Sequence, residues 1–192
     1  MPQGMKQYKM ATIYDVDPNV LIERAAKELE KEKAVSPPVW GIFVKTGNHK
    51  ERAPLRKDWW YVRAAAILRT IYRMGPIGTE KLRTKYGGKR NLGYRPEKVR
   101  KGSGNIARKI LQQLEKSGLL KQIDKEGRKG RIVTPKGKSF LDKIATQILK
   151  ENPSKRLETL KMELPEVAKE AKKPRKKKEE QAPEAQPQNG PI

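Results

Sequence analysis

The stretch "SGNIARKILQQLEKSGLLKQIDKEGRKGRIVTPKGKSFL", Ser103 to Leu141, decides the fold, because helix, turn, strand and helix signals follow one another in it without a gap. Ser103 is an N-cap residue, Ile106, Ala107, Ile110, Leu111 and Leu114 recur at helical spacing, and Gly118 supplies a stop. The opposite face of this helix carries Asn105, Arg108, Lys109 and Gln112. "LLKQIDKEGRKGRIVT" then predicts two short strands, Leu119 to Ile123 and Arg131 to Thr134, joined by a glycine-bearing turn with Arg128 and Lys129 at its tip. Thr134-Pro135 opens a last helix whose inner face is Phe140, Leu141, Ile144, Ala145 and Ile148.

Upstream, "RKDWWYVRAAAILRTIYR" (Arg56 to Arg73) predicts a helix capped by Asp58 and ending near Gly75-Pro76. At 100° per residue Trp60, Ala64, Ile67, Leu68 and Ile71 form its core stripe. Trp59 falls on the flank beside Arg63 and Thr70, while Val62, Ala65, Arg69 and Arg73 point away from the core. Alanines let another surface approach closely, and guanidinium groups fork onto phosphates or stack on rings. The outer face, with Arg56 at its head, therefore reads as a docking surface for RNA.

After "MGPIG", the segment "TEKLRTKYGG" predicts a short helix capped by Thr79 and stopped at Gly87-Gly88. The following "GGKRNLGYRPEKVRKGSGN" reads as a basic loop, in which Lys89, Arg90, Arg95 and Arg100 meet a single acid, Glu97. Such a loop suits a sugar-phosphate backbone better than a core. It empties into the Ser103 helix, whose glycine-flanked N-terminus, preceded by Lys101, offers backbone N–H groups and a positive dipole end to a phosphate.

Near the N-terminus, "DVDPNVLIERAAKELEKEK" predicts a packing helix with Asp17 as cap, Pro18 in its first position and Leu21, Ile22, Ala25, Ala26 and Leu29 on one face. "VSPPVWGIFVKTGNHKERAPLRKD" is then an irregular connection anchored by Trp40, Ile42 and Val44. The order helix, helix, basic loop, helix, hairpin, helix is that of a winged helix-turn-helix. The expected fold is mainly α: a helical domain with a winged helix-turn-helix element, a small β-hairpin wing and a disordered basic C-terminal tail. Residues 1–10 are expected to form a flexible extension, 11–152 the winged-helix RNA-binding domain and 153–192 a mobile charged tail. The tail is rich in Lys, Glu, Pro and Gln and lacks aromatics, so it cannot bury enough surface to order itself.

Charge narrows the partner. The 192 residues hold 45 Lys+Arg against 22 Asp+Glu, a formal net charge of +23. A self-repulsion of this size calls for a polyanion, and nucleic acid is the first choice. No apolar run approaches the roughly 18 residues a membrane span needs, and there is no signal-peptide core, so a soluble intracellular chain is expected. With no Cys and one His, His49, thiolate chemistry is absent and a histidine metal site is improbable on composition. The carboxylates form no recognisable catalytic pair, so no enzyme, no cofactor and no small-molecule substrate are expected.

The residues resemble a known family, the archaeal and eukaryotic small-subunit ribosomal protein S nineteen, distinct from the bacterial protein of similar name. The resemblance is carried by "ATIYDVDPNVLI", "HKERAP", "WWYVRAA", "TKYGG", "RKGSGNIARKILQQLE" and "GRIVTPKGKSFLDKIA", and spans nearly all of Ala11 to Gln147. It implies a helical protein with a winged-helix element in the head of the small subunit, bound to the 3′ major domain of the rRNA and needed for maturation of the subunit precursor. It implies neighbouring ribosomal proteins and assembly factors as further partners, and a cytoplasmic, ribosome-bound location. The family's basic surface falls here on Arg63, Arg69, Lys101, Ser103 and Arg108. The residues before Met10 and the tail after Asn152 exceed the family pattern, which makes Met10 a candidate start. The function expected is thus a structural constituent of the small ribosomal subunit. The alternative is a winged-helix DNA-binding transcription regulator, reading a major groove with Asn105 to Lys116.

Overall fold

The computed structural model describes residues 11–32, 35–125 and 128–151. The expected N-terminal extension and charged tail lie outside the described residues. The elements run α1 (Pro18–Lys31), a 3-10 turn (Val39–Ile42), α2 (Trp59–Met74), α3 (Thr79–Lys85), β1 (Gly88–Leu92), β2 (Arg95–Arg100), α4 (Gly104–Lys116), β3 (Leu120–Lys125), β4 (Arg128–Val133) and α5 (Pro135–Glu151).

The helix α4 forms as its pattern requires. The Ser103 hydroxyl accepts from the Ile106 N–H, and Ile106, Ala107, Ile110, Leu111 and Leu114 are all buried. Its end is a Schellman motif: Gly118 sits at φ +75, its N–H donates to the Glu115 carbonyl, and the Leu119 N–H donates to that of Leu114. Thr134 then joins wing to α5, its hydroxyl donating to the Gly118 carbonyl at 2.7 Å while accepting from the Gly137 N–H at 3.2 Å.

Strands β3 and β4 pair antiparallel from Leu120 opposite Val133 to Lys125 opposite Arg128, reaching further toward the tip than hydrophobic alternation predicts. The tip is too polar to carry that signal. A third, one-residue strand completes the wing: Ile77 and Arg131 exchange N–H···O=C bonds of 3.2 and 3.1 Å. Helix α2, the Ile77 bridge, α3, α4 and the β3–β4 hairpin thus compose a winged helix, to which α1 and α5 add further helices.

At the centre is α2. Trp60, Ala64, Ile67, Leu68 and Ile71 are buried as the stripe predicts, but Ala65 is only 1% exposed and Thr70 is buried too. The wheel treats Ala65 as outward because it assumes one packed side. Here α1 lies against α2 while α4, β4 and α5 also touch it, so most of the helix surface is enclosed. Both helices carry small residues, Ala25 and Ala26 on α1 and Ala64 to Ala66 on α2, which suits close approach. The connection after α1 is held by Trp40 and Val44, which pack on the core; Ile42, expected as an anchor, is 76% exposed. A 3-10 turn leaves room to bury only one side of so short a segment, and Trp40 occupies it.

The largest difference from expectation lies between α3 and α4. The basic "loop" is a hairpin, β1 paired antiparallel with β2 from Gly88 opposite Arg100 to Leu92 opposite Arg95. Both strands face solvent on both sides, so no apolar alternation announces them. The turn does carry a signal: Gly93 adopts φ +72 and its N–H donates to the Asn91 side chain at 2.8 Å. Thr79, expected as the cap of α3, is its first helical residue, with Gly78 in the cap position.

Trp60 is fully buried, donates from Nε1 to the Gln113 side chain at 3.0 Å, and meets the Trp40 and Trp59 rings edge-on at 5.7 and 5.2 Å. Trp60→Ala is expected to lower stability by about 3–5 kcal/mol, seen as a reduced urea midpoint at unchanged slope. A loss below about 1 kcal/mol would show that the site collapses around the missing indole.

Candidate nucleic-acid interface

Cations that already have a carboxylate differ from those that do not, and the division sorts the expected site residues. Arg56 is held by two carboxylates. Its Nε and Nη2 donate to the two Asp58 oxygens at 3.0 and 2.7 Å, and Nη1 donates to Glu23 of α1 at 3.3 Å. These bonds raise the Arg56 pKa and lower that of Asp58. They also explain why Asp58, at the head of α2, makes no side-chain cap bond.

Arg63, Arg69 and Arg73 present the opposite case. None lies in an ion pair among the described residues. Arg63 lies over the Tyr86 ring at 4.2 Å, and burial lowers its pKa. Arg69 is half-buried with an Nε that has no partner, and burial followed by the charge of Arg73 lowers its pKa. Lys85, from the end of α3, joins them. It donates to the Thr70 hydroxyl at 2.8 Å, and its pKa is lowered by burial, then by Arg73 and Arg69. The Thr70 hydroxyl also lies 3.5 Å from the Tyr86 hydroxyl, whose pKa burial raises. Folding therefore gathers like charges from α2 and α3 around a tyrosine with no carboxylate in ion-pair distance among the described residues, Asp17 offsetting the charge of Arg69 only from further away. A phosphate group would relieve that repulsion.

Lys85 is absent from the sequence-derived set. Nothing in "TEKLRTKYGG" marks it out from Lys81 or Arg83, since only the packing of α3 on its neighbours sets it beside Arg69 and Arg73.

The hairpin forms the second basic surface. Lys89, Arg90, Arg95, Lys98 and Arg100 are exposed on it; Lys89 lies 4.0 Å from Glu97, and Arg90 donates to the Asn48 side chain at 2.7 Å. A two-stranded hairpin in water is marginal by itself. This one is fixed at its base, where a Cβ on Gly102 would lie 2.7 Å from the Tyr86 carbonyl oxygen and Gly47 bridges Gly102. The glycine is required by that crossing of chains.

The turn from Lys101 into α4 is more occupied than the sequence suggests. The Gly102 N–H donates to the Arg83 carbonyl at 2.8 Å, the Ser103 N–H to that of Thr46 at 3.1 Å, and Lys101 pairs with Glu80 at 3.1 Å. Arg83 also binds Glu80, and the two bonds lower the Glu80 pKa. Beyond the turn, Asn105, Arg108, Lys109, Gln112 and Lys116 are exposed along α4. On the wing, Lys129 lies 3.5 Å from Asp124, Arg128 opens β4 with a side chain outside the described ones, and Arg131 ties the strand to Glu115 of α4 at 3.0 Å.

A cleft of about 770 Å³ lies between the segment Phe43–Asn48, the end of β2 and the start of α4. Lys45, Arg83, Arg100, Lys101 and Ser103 line it. Among the described residues no group of His, Asp and Glu suited to a metal ion occurs, and no helix is long and apolar enough to cross a membrane.

Comparison with known proteins gives a consistent relationship. A family model described as Ribosomal protein S19e matches residues 12–151. The small ribosomal subunit protein eS19 of Aeropyrum pernix is 50% identical over 144 residues, covering 74% of this chain and 92% of that protein. Small ribosomal subunit protein eS19A of Schizosaccharomyces pombe is 43% identical over 140 residues, with 73% and 95% covered. The eS19 of Haloarcula marismortui is 42% identical over 146 residues, with 74% and 94% covered.

Lys85→Gln separates a structural role from a binding one. The substitution removes a repelled charge, so the melting temperature is expected to hold or rise. RNA binding is expected to weaken, its log–log salt slope falling by about 0.7–0.9 because one phosphate is no longer neutralised. A lower melting temperature at unchanged salt slope would assign Lys85 to the fold alone.

Proposed function

The chain belongs to the ribosomal protein S19e family, a structural and non-enzymatic kind of ribosomal protein, and from this we propose that it binds the 3′ major domain of small-subunit rRNA, in the head of the subunit. There it brings RNA segments together by neutralising their phosphates. Its partners are that rRNA, neighbouring small-subunit proteins and the factors that accompany maturation of the subunit precursor, on cytoplasmic ribosomes. Holding the head segments in place during assembly is the contribution to maturation.

The observation that carries this reading is the placement of the β1–β2 hairpin. A winged helix that reads DNA inserts the N-terminal part of its recognition helix into a major groove. In this chain α4 begins where the segment ending in Asn48 crosses it, through the Ser103 N–H bond to Thr46, and where the cationic hairpin joins. That end of the helix is built into a basic surface shared with other elements and does not project alone. Folded RNA suits such a surface, because A-form helices hide their base edges in a deep major groove and are bound through shape, sugars and phosphates.

Filter binding at matched salt tests the reading, with a 3′ major domain transcript against duplex DNA of equal length. Preference for the transcript is expected; preference for DNA would restore the transcription-regulator alternative. Arg108 supplies the accompanying variant, since it is exposed on α4, beyond the cap and off the buried stripe. Arg108→Glu is expected to keep the circular-dichroism spectrum and melting temperature while losing most specific rRNA binding and incorporation into subunits. Normal incorporation would move the principal RNA-binding surface to the Arg69–Arg73–Lys85 cluster or to the wing.

A further inference from the structure

The cleft between Phe43–Asn48 and the base of the hairpin has a rim that phosphate neutralisation does not explain. Phe43 is 81% exposed and Val99 is 75% exposed, and both line it. Removal of either from water would be favourable, yet none of the described residues covers them. The Phe43 backbone is anchored: its N–H donates to the Trp40 carbonyl at 3.2 Å, and Trp40 packs edge-on against buried Trp60 at 5.7 Å. The ring is therefore presented from an anchored point of the chain, with its surface open to a partner.

The remaining walls are cationic and polar. Lys45 and Arg100 have no carboxylate within ion-pair distance among the described residues, Arg83 and Lys101 share Glu80, and no carboxylate lines the cleft. Asn48 adds an amide whose oxygen accepts from Arg90, fastening the hairpin to the opposite wall. The space, about 770 Å³, is an open groove, so an occupant would lie against its walls with one side facing solvent.

An aromatic platform beside unpaired cations is the combination that binds an unstacked base together with its phosphate. A duplex meets only half of it. Its bases are stacked on one another and offer Phe43 no face, so the ring would remain in water. An apolar protein segment would cover Phe43 and Val99 but leave Lys45 and Arg100 desolvated without an anion. Building on the rRNA-binding role, we infer that this cleft takes one unpaired nucleotide of the bound RNA, its base against the Phe43 ring and its phosphate met by Lys45 and Arg100.

The test uses the full chain and a small-subunit rRNA transcript containing 4-thiouridine, irradiated after binding, with the crosslinked peptide and RNA position both mapped. Crosslinks from the Phe43 or Val99 peptides to a nucleotide that chemical probing shows to be unpaired are expected. Phe43→Ala and Phe43→Leu should each bind the transcript about tenfold more weakly, while Phe43→Tyr, which keeps a ring, should bind as the unaltered chain does. Equal affinity of all these variants would overturn the inference, and so would crosslinks confined to paired nucleotides or absent from both peptides. Rescue by leucine would show an apolar contact without stacking and overturn it as well. In each of those cases the unaltered chain still binds the transcript, and the rRNA-binding role stands. No binding by the unaltered chain would overturn that role and this inference with it.

Discussion

The hydrogen bond from buried Trp60 to Gln113 fixes the frame on which the rest depends. A buried indole N–H needs an acceptor, and Gln113 of α4 supplies it. The same amide donates to the Ser36 carbonyl at 2.6 Å, so one side chain links α2, α4 and the segment that follows α1. Trp40 and Trp59 close around the indole edge-on. Three of the chain's largest side chains therefore set the distance between the central helix, the helix of the winged element and the crossing segment. The cleft and the orientation of α4 inherit that distance.

Upon this frame the charges are divided by use. Arg56 spans Asp58 and Glu23, Arg131 spans Glu115, and Arg24 reaches Glu151 at 2.7 Å, each tying one element to another. These pairs are mostly exposed, and such bridges contribute little to stability individually. Their consequence is to remove cations from the surface field. Among the described residues, the cations outside any ion pair include Arg69, Arg73 and Lys85 at the ends of α2 and α3, Arg95, Lys98 and Arg100 on the hairpin and Arg108 and Lys109 on α4, with further lysines along α5.

Tyr86 connects these regions. It caps the end of α3, supports Arg63 on its ring, approaches Thr70 with its hydroxyl, and presents its carbonyl to Gly102 at the foot of the hairpin. The hairpin, too exposed to hold itself, is positioned by this packing at its base and by the Arg90–Asn48 bond along its side. An element with no core of its own is thereby presented at a defined angle beside α4.

Local chemistry alone determined much of this. The stripe and Schellman stop of α4, the Asp17-Pro18 start of α1, the Thr134-Pro135 start of α5 and the Trp60 stripe are all legible, because capping and helical periodicity act over a few residues. The excess of basic residues likewise announces a polyanion, and the exposure of Asn105 and Arg108 follows from one helical wheel. Only the tertiary structure decided the rest. Ala65 is buried because several elements pack around α2, where a single wheel assumes one packed side. The β1–β2 hairpin escapes notice because strands wet on both sides carry no alternation. Lys85 enters the basic cluster, and Arg56 is engaged by Asp58 and Glu23, because ion pairing depends on which residues distant in sequence come within about 4 Å. Periodicity records how a segment meets the core, whereas the pairing of one charge with another is fixed only when the segments meet.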